Sequence, residues 1–312
     1  MIMATTAHVP VMLGEVLDAL AVRPGGRYVD CTLGGAGHAE AILEGAQPGG
    51  TLLGIDASPQ AIEIGRERLA RFGDDAQLVR GNFRDVGEIC RSMAFFPVNG
   101  VLMDLGLSSD QLEFGEGFSY RRDTPLDMRF GREGVSAADI VNTYGEKDLA
   151  DLIYKYGEEP ASRAIARRIV ESRPLTTSGQ LAKAAEQAVG RRAHRKSHPA
   201  TRTFQALRIA VNRELDALEA ALPQAHGLLG FGARLVVLSY HSLEDRIVKE
   251  FIRQESRDCV CPPGLPECRC GHKATLRAVT RGALKPSAAE VAANPRARSA
   301  RLRAAERIAA AA

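Results

Sequence analysis

Small and acidic residues follow four apolar, β-like runs in the first third of the chain. The first run ends at Asp30 and leads into a turn of small residues, Gly34 to Gly37, whereas the second ends at Asp56. Phe83 follows the third run, and the fourth ends at Asp104. A carboxylate after a strand can bind ribose hydroxyls, a turn without side chains lets a ligand contact the backbone, and an aromatic ring can stack on a base. Together these residues predict a site for an adenosine-containing cofactor.

The glycine turn does not match the dinucleotide-binding pattern G-x-G-x-x-G. Counting from Gly34, the two later glycine positions are alanines, which disfavours a nicotinamide-dependent oxidoreductase on the same architecture. Taken singly, the turn could connect a strand to a helix without any ligand, Asp56 could be a helix N-cap, and Phe83 could be a core residue. A carboxylate at the end of an otherwise apolar strand needs a polar partner, so Asp104 is a better functional candidate than an exposed acid would be.

Alternation of β-like and helical stretches between residues 27 and 104 predicts βαβ units with right-handed crossovers and a parallel sheet. In such sheets ligands bind beyond the carboxyl ends of the strands, where the candidate residues fall. Residues 112–200 show helical periodicity without a convincing strand, and a long helix is predicted over residues 201–222. The expected organisation is an α/β domain, residues 1–111 and 201–312, interrupted by an inserted, mainly helical domain, residues 112–200.

Composition and charge distribution indicate which partners to expect. The 312 residues are 45% hydrophobic and 25% charged, no apolar run is long enough for a membrane span, and the N-terminus lacks a signal pattern. We therefore expect a cytoplasmic protein without a membrane partner. Residues 118–213 contain 18 Lys and Arg against 11 Asp and Glu, whereas the remainder contains 23 against 27. The basic segment is either an arginine-rich solvated surface or the binding site of an anionic partner.

A cysteine-rich segment near the C-terminus could hold a metal. Cys259 and Cys261 form one C-x-C pair, Cys268 and Cys270 form a second, and His272 follows. Four thiolates suit zinc, although structural zinc sites more often separate the cysteines of a pair by two or more residues. Free thiols are the alternative interpretation, since cytoplasmic proteins rarely contain disulfides.

Blocks of sequence along almost the whole chain resemble the bacterial RsmH/MraW family, in the order found in that family. They are HVPVMLGEVLDAL, VDCTLGGAGHAEAIL, DLGLSSDQL, GFSYRRDTPLDMRF, YGEE, HPATRTFQALRIAVNRELDAL, SYHSLEDRIVK and NPRARSARLRAAE. Members of the family are S-adenosylmethionine-dependent methyltransferases that act on N4 of a cytidine in the decoding region of 16S ribosomal RNA. The resemblance implies a class I, Rossmann-like methyltransferase sheet, with the inserted helical domain recognising the RNA substrate within the small ribosomal subunit.

The resemblance also implies which residues bind S-adenosylmethionine. Carried over position by position, the contacts fall in the first turn and at later strand ends: Ala36, Gly37, His38, Asp56, Phe83, Asp104 and Gln111. Gly35, in the same turn, is included with them. His38 and Gln111 come from the resemblance alone, because nothing in their spacing distinguishes them from ordinary polar loop residues.

Aromatic and basic residues beyond the cofactor region are candidates for RNA binding. An extruded cytidine can be stacked on aromatic or guanidinium planes, and basic side chains bind phosphates. The candidates are Phe118, Tyr120, Arg121 and Arg122, followed by Arg191, Arg192, Arg195 and Lys196. A solvated surface is the competing interpretation of the second group.

Methylation of an amino nitrogen requires that its lone pair, which is delocalised into the cytosine ring, be made available. A carboxylate can help by accepting an N–H hydrogen bond, while the site aligns nitrogen and methyl group. Asp104 is the candidate for this role, although the resemblance assigns it to the cofactor. A non-catalytic RNA-binding or ribosome-assembly factor with the same fold is the alternative function.

Overall fold

The computed structural model describes residues 10–106, 116–130, 134–190, 198–262 and 267–309. The chain divides into two compact units. The first, here called the sheet unit, comprises Met1–Gly106 and Asp216–Ala312. The second, here called the helical unit, comprises Leu107–Leu215.

A seven-stranded sheet forms the centre of the sheet unit. Its strands are β1 (Arg27–Asp30), β2 (Thr51–Asp56), β3 (Ala76–Arg80), β4 (Val98–Asp104), β5 (Leu229–Ser239), β6 (Leu276–Ala278) and β7 (Arg301–Arg307). Hydrogen bonding orders them β3-β2-β1-β4-β5-β7-β6. The first five strands are parallel to one another, whereas β7 is antiparallel to β5 and β6 is antiparallel to β7. The predicted α/β class with a Rossmann-like parallel sheet is confirmed.

Helices connect the strands of the sheet unit and make up most of the helical unit. Within the described residues they are α1 (Leu13–Leu20), α2 (Gly37–Ala46), α3 (Pro59–Leu69), α4 (Val86–Ser92), α5 (Ala137–Thr143), α6 (Glu146–Gly157), α7 (Ser162–Glu171), α8 (Ser178–Val189), α9 (Ala200–Asn212), α10 (Glu214–Leu228), α11 (Ser242–Glu255) and α12 (Ala288–Ala293). Short 3-10 helices cover Ala70–Asp75, Phe83–Asp85 and Pro295–Ser299. No helix among the described residues has the length and apolar character needed to cross a membrane.

Both faces of the sheet are buried at its centre, which explains why β1, β2 and β4 are largely apolar runs. Successive side chains of β1 point to opposite faces: Tyr28 belongs to the core beneath α1 and α2, and Val29 to the core that includes residues of α4, α10 and α11. Leu52 and Leu53 of β2 are divided between the two cores in the same way. The order of connection reverses between β1 and β4, so the sheet has a crevice at the carboxyl ends of these two neighbours.

The helical unit has one hydrophobic core, to which α5 to α9 all contribute. Among the described residues of the helical unit, an isolated antiparallel β-bridge joins Pro125 to Thr177. The unit ends at Leu215, not at the predicted boundary of residue 200. The reason is that α9, which the prediction assigned to the α/β domain, buries Phe204 and Leu207 in the core of the helical unit.

The predicted single helix over residues 201–222 is wrong, because the structure breaks it at Arg213. This residue adopts a left-handed conformation with φ of 50°, which separates α9 from α10. The amide of Asn212, at the end of α9, donates to the carbonyl of Met128 at 2.7 Å and accepts from the backbone N–H of Phe130 at 2.9 Å. These contacts between distant segments stabilise the break and leave no signal in the helical periodicity.

Candidate functional site

Three carboxylates lie at the carboxyl ends of three adjacent parallel strands. Asp56 ends β2, Asp30 ends β1 and Asp104 ends β4, and these strands are neighbours in the order β2-β1-β4. The crevice between β1 and β4 is the switch point at which ligands bind in sheets of this type. The structure therefore brings together the three acids that the sequence placed at strand ends.

The turn after β1 is tied to all three strands. The backbone N–H of Gly34 donates to Oδ2 of Asp56 at 2.9 Å, and that of Thr32 donates to Oδ1 of Asp30 at 3.0 Å. The Thr32 hydroxyl in turn accepts from the backbone N–H of Asp104 at 2.7 Å. Because each strand end contributes one anchor, the turn is held in place independently of any ligand.

Two residues of this turn adopt left-handed backbone conformations, Gly34 with φ of 49° and Ala36 with φ of 58°. Ala36 is the N-cap of α2 and is fully buried, so its predicted contact with the cofactor stays a prediction. A Cβ atom added to Gly37 would lie 2.5 Å from Cγ of Pro10, which means that packing against Pro10 requires glycine here. Gly35 is fixed by its carbonyl, which accepts from Nη1 of Arg68 at 2.9 Å.

His38 lies in the first turn of α2 and contacts both a backbone carbonyl and an acid. Its Nε2 is 3.0 Å from the carbonyl oxygen of Val11, and its Nδ1 is 3.6 Å from Oδ2 of Asp104. A carbonyl oxygen can only accept, so Nε2 carries a proton. Nδ1, on the other side of the ring, faces the carboxylate of Asp104.

Tyr240, directly after β5, is a site residue that the sequence reasoning missed. Its hydroxyl hydrogen-bonds to the carboxylate of Asp104. Burial, together with this acid, raises the pKa of Tyr240 well above its ordinary value, so the phenol is a neutral donor. A Cβ atom on Gly106 would lie 2.7 Å from Cε2 of the ring, which leaves room only for glycine. The rule that polar residues after parallel strands meet at one edge could have identified Tyr240, since β5 is the neighbour of β4.

The site is electronegative. Burial raises the pKa of Asp30 to about 6, and the charges of Asp104 and Asp56 add to this effect, while His38 and the N–H of Thr32 oppose it. Burial also raises the pKa of Asp56, against the hydrogen bonds it accepts from backbone N–H groups. Acids crowded in this way favour a ligand that carries positive charge, because such a ligand stabilises their ionised forms.

Phe83 begins the 3-10 helix after β3, where Asn82 caps the backbone N–H of Arg84. Its side chain is half-buried and packs against the core that includes residues of α4 and α10. The core role is therefore confirmed for part of the ring, whereas stacking of its accessible part on the adenine stays a prediction. Gln111, the last predicted cofactor contact, lies outside the described residues.

The structure separates the candidate RNA-binding residues into two kinds. Phe118 stacks on Phe130 with ring centroids 5.6 Å apart, and Tyr120 stacks on His198 at 4.1 Å. Both rings are half-buried and pack against the core of the helical unit, so in each ring one face is covered by its stacking partner. By contrast, the adjacent side chains of Arg121 and Arg122 are exposed. The second predicted group, Arg191, Arg192, Arg195 and Lys196, lies outside the described residues.

The four cysteines near the C-terminus converge, whereas His272 does not join them. The sulfur atoms of Cys259, Cys261, Cys268 and Cys270 all lie within 4.8 Å of one another. Nδ1 of His272 is instead 2.8 Å from the carbonyl oxygen of Arg257. The convergent set is therefore four thiols without an imidazole.

Comparison with known proteins identifies the family. The model of the MraW methylase family matches residues 5–308. The chain belongs to this family. Membership confirms the predicted family. It also confirms that the protein is a methyltransferase and that its cofactor is S-adenosylmethionine. It also overturns the nicotinamide-dependent alternative.

Relatives of the MraW-family chain share about half of its residues over nearly its full length. A protein of Dehalococcoides mccartyi is 57% identical over 303 residues, which are 96% of this chain and 86% of the relative. One of Thermomicrobium roseum is 53% identical over 98% of this chain and 95% of its own length. One of Geobacter sulfurreducens is 50% identical over 97% of this chain and all of its own length. Each of the three is named ribosomal RNA small subunit methyltransferase H.

Solved structures similar to this MraW-family protein are more distant. A rRNA methylase from Streptococcus thermophilus superimposes with a TM-score of 0.44 at 12% identity, covering 97% of this chain and all of its own. An O-methyltransferase from Bacillus cereus in complex with SAH superimposes with a TM-score of 0.45 at 9% identity, covering 97% of this chain and 84% of its own.

Proposed function

We propose that this MraW-family methyltransferase transfers a methyl group from S-adenosylmethionine to N4 of a cytidine in the decoding region of 16S ribosomal RNA, in the cytoplasm. The observation that carries the proposal is the near full-length similarity to proteins named ribosomal RNA small subunit methyltransferase H. The choice of N4 and of the decoding region rests on the sequence blocks that resemble the RsmH/MraW family.

The carboxylate cluster suits S-adenosylmethionine in charge and in hydrogen bonding. The cofactor supplies an electrophilic methyl group on a positively charged sulfur and also carries an ammonium group. Burial raises the pKa of Asp30 and of Asp56, and these two acids, at neighbouring strand ends, would be stabilised as anions by positive charge nearby. Asp56 already accepts from the N–H groups of Gly34 and Ser58, but each carboxylate oxygen has a further lone pair that could bind a ribose hydroxyl.

Asp104 is held by several groups at once. The N–H of Gly106 donates to its Oδ1 at 3.3 Å, His38 lies beside its Oδ2, and the hydroxyl of Tyr240 donates to the same carboxylate. A carboxylate held by three partners is well suited to fixing the position of a ligand. These contacts support positioning as its main role. Its role as acceptor of the cytosine N–H, for which Asp104 is the candidate, remains a prediction.

The helical unit is the proposed site of RNA recognition. It contains the exposed Arg121 and Arg122, and residues 118–213 carry the excess of basic side chains in the sequence. Guanidinium groups bind phosphates and stack on unpaired bases. The packed rings of Phe118 and Tyr120 favour a different role for these two aromatics, which is to stabilise the segment that presents the arginines.

Methyl transfer to small ribosomal subunits tests the proposal. Subunits purified from cells that lack the enzyme are incubated with the full-length protein and labelled S-adenosylmethionine, and nuclease fragments of the RNA are analysed by mass spectrometry. We expect N4-methylcytidine in a decoding-region fragment. Label at another base or in another RNA region would overturn the substrate assignment. Binding of subunits without any transfer would favour the assembly-factor alternative.

A further inference from the structure

The cysteine-rich segment between α11 and β6 has the geometry of a metal site. The sulfurs of Cys268 and Cys270 are 3.5 Å apart and those of Cys270 and Cys259 are 3.8 Å apart. With zinc–sulfur bonds of about 2.3 Å, the edge of a tetrahedral four-thiolate site is about 3.8 Å long. The sulfur separations therefore match a single tetrahedral ion.

Backbone hydrogen bonds to sulfur support the same arrangement. The N–H of Val260, between the cysteines of the first pair, donates to the sulfur of Cys270 at 3.4 Å. The N–H of Arg269, between the cysteines of the second pair, donates to the sulfur of Cys261 at 3.4 Å. The backbone N–H of the middle residue of each C-x-C pair thus donates to a sulfur of the other pair. Hydrogen bonds from ligand-bearing loops stabilise thiolate charge and orient the ligands of a metal.

Other uses of four cysteines fit this geometry less well. A disulfide requires sulfurs about 2.05 Å apart, whereas the two separations above are 3.5 and 3.8 Å, and all four cysteines are free thiols. All four sulfurs lie within 4.8 Å of one another, which suits one ion in tetrahedral coordination. Four-cysteine sets with this geometry are typical of structural zinc.

The segment lies at the end of the sheet opposite the carboxylate cluster. β6 begins at Leu276, which pairs with Arg307 at the end of β7, and β7 runs antiparallel to β5. The cysteines precede Leu276 and so lie at the amino edge of the parallel strands, whereas Asp104 lies at the carboxyl edge. A metal here would be structural, with four protein ligands and no position open to substrate.

Contacts at the base of the segment show what the metal would stabilise. The N–H of Thr275 donates to the carbonyl of Glu255 at 2.9 Å, and the N–H of Ile308 donates to the carbonyl of Thr275 at 2.9 Å. The end of α11, the start of β6 and the end of β7 are therefore joined at one place. A metal bound by the four cysteines would cross-link the loop that connects α11 to β6, next to this junction.

We infer that Cys259, Cys261, Cys268 and Cys270 bind one zinc ion that stabilises the junction between α11 and the sheet. On binding, the four thiols lose their protons and become thiolate ligands. Because the ion lies at the opposite edge from the carboxylate cluster, its removal is expected to lower thermal stability and to leave S-adenosylmethionine affinity nearly unchanged.

Metal analysis of the full-length protein, purified without a polyhistidine tag from cells supplied with zinc, tests the inference. We expect close to one zinc per chain, released when p-mercuribenzoate is titrated into the folded wild-type protein. Zinc near zero, or iron at the same stoichiometry, would overturn it. Because titration uses the wild type, its result does not depend on whether a variant folds.

A double variant and a control identify the ligands. Cys261→Ser with Cys268→Ser, one from each pair, is expected to lose the zinc. His272→Ala is the matched control, since its ring nitrogen bonds to the carbonyl of Arg257 and not to the sulfurs, and it should retain the zinc. Retention by the double variant, or loss in the control, would contradict the four-cysteine assignment. Methyl transfer is a separate measurement, so failure here leaves the proposed function standing.

Discussion

The carboxylate of Asp104 accepts a hydrogen bond from the hydroxyl of Tyr240. Asp104 ends β4 and Tyr240 directly follows β5. The two are far apart in the sequence, yet the parallel pairing of these strands places Met103 opposite Val237 and Asp104 opposite Leu238. This contact gives the best-positioned acid of the site a neutral donor that burial protects from ionisation. The strand ends thus supply both the charged groups and the groups that orient them.

Tyr240→Phe removes the hydroxyl without changing the packing of the ring. We expect a loss of about 1 kcal/mol in the free energy of unfolding, as is usual for one hydrogen bond, and a fall in cofactor affinity or kcat of about tenfold. Tyr28→Phe is the matched control. Tyr28 lies in β1, and its hydroxyl accepts from the backbone N–H of Arg23 at 2.9 Å. The control should lose similar stability and keep its activity. Equal activity in the two variants would show that the Tyr240 hydroxyl does not position Asp104.

His38→Ala removes the imidazole beside Asp104. Without the ring 3.6 Å from its Oδ2 atom, Asp104 is held less firmly, and we expect the Kd for S-adenosylmethionine, measured by calorimetry, to rise about tenfold, which corresponds to about 1.4 kcal/mol. The carbonyl of Val11 also loses its partner, and circular dichroism should establish that the fold is retained. The same His272→Ala variant used for the metal is the control and should bind normally. An unchanged Kd for His38→Ala would remove His38 from the cofactor site.

Asp30→Asn tests the electrostatics through the pH dependence of stability. Burial raises the pKa of Asp30 to about 6, so the folded protein holds this proton more tightly than the unfolded chain. The resulting stability is fully present below about pH 4 and is lost as pH rises through about 6. Asparagine can still accept the N–H of Thr32 and carries no charge.

Urea unfolding of the cofactor-free protein measures the effect. Each pKa unit corresponds to about 1.4 kcal/mol, so between pH 4 and pH 7 the variant should gain up to about 3 kcal/mol over the wild type. Working without cofactor is necessary because a ligand that binds only the folded state changes the apparent stability. Parallel pH profiles for the two proteins would mean that Asp30 titrates normally.

Neutralising the four basic residues between positions 191 and 196 tests RNA recognition. Replacing Arg191, Arg192, Arg195 and Lys196 with glutamine should weaken binding to small-subunit RNA and flatten its dependence on salt. The log–log slope should fall by up to about 0.7–0.9 for each phosphate that the variant no longer neutralises. The comparison variant replaces Arg66 and Arg71, which are exposed on the sheet unit, and it should bind with nearly the wild-type slope. Identical salt titrations for the two variants would show that these four basic residues belong to a solvated surface and do not bind RNA.

Much of the sheet unit could be predicted from the sequence. The first four strands and their order along the chain follow from short apolar runs, because strands buried on both faces have no polar alternation to obscure them. Asp30, Asp56 and Asp104 could be placed at one edge for the same reason. Strand β7 could not, since its residues lie in an alanine- and arginine-rich tail and its pairing partners are distant in sequence.

The helical unit was harder to predict. Periodicity over residues 201–222 is continuous, and only the contacts of Asn212 with residues near 128–130 explain the break at Arg213. Phe118 and Tyr120 have the composition of a base-binding surface, but the structure packs both rings against the core. Aromatic side chains suit either environment, so their type alone does not distinguish the two.

By itself the sequence determined the enzyme family, the parallel sheet and the acids at its carboxyl ends, because these depend on local composition and on motifs that are contiguous in the chain. Only the tertiary structure decided that Tyr240 holds Asp104, that His38 joins Val11 to the same carboxylate, and that four cysteines meet without His272. Such contacts depend on strand register and loop closure between distant segments, and neither is specified by the spacing of residues along the chain.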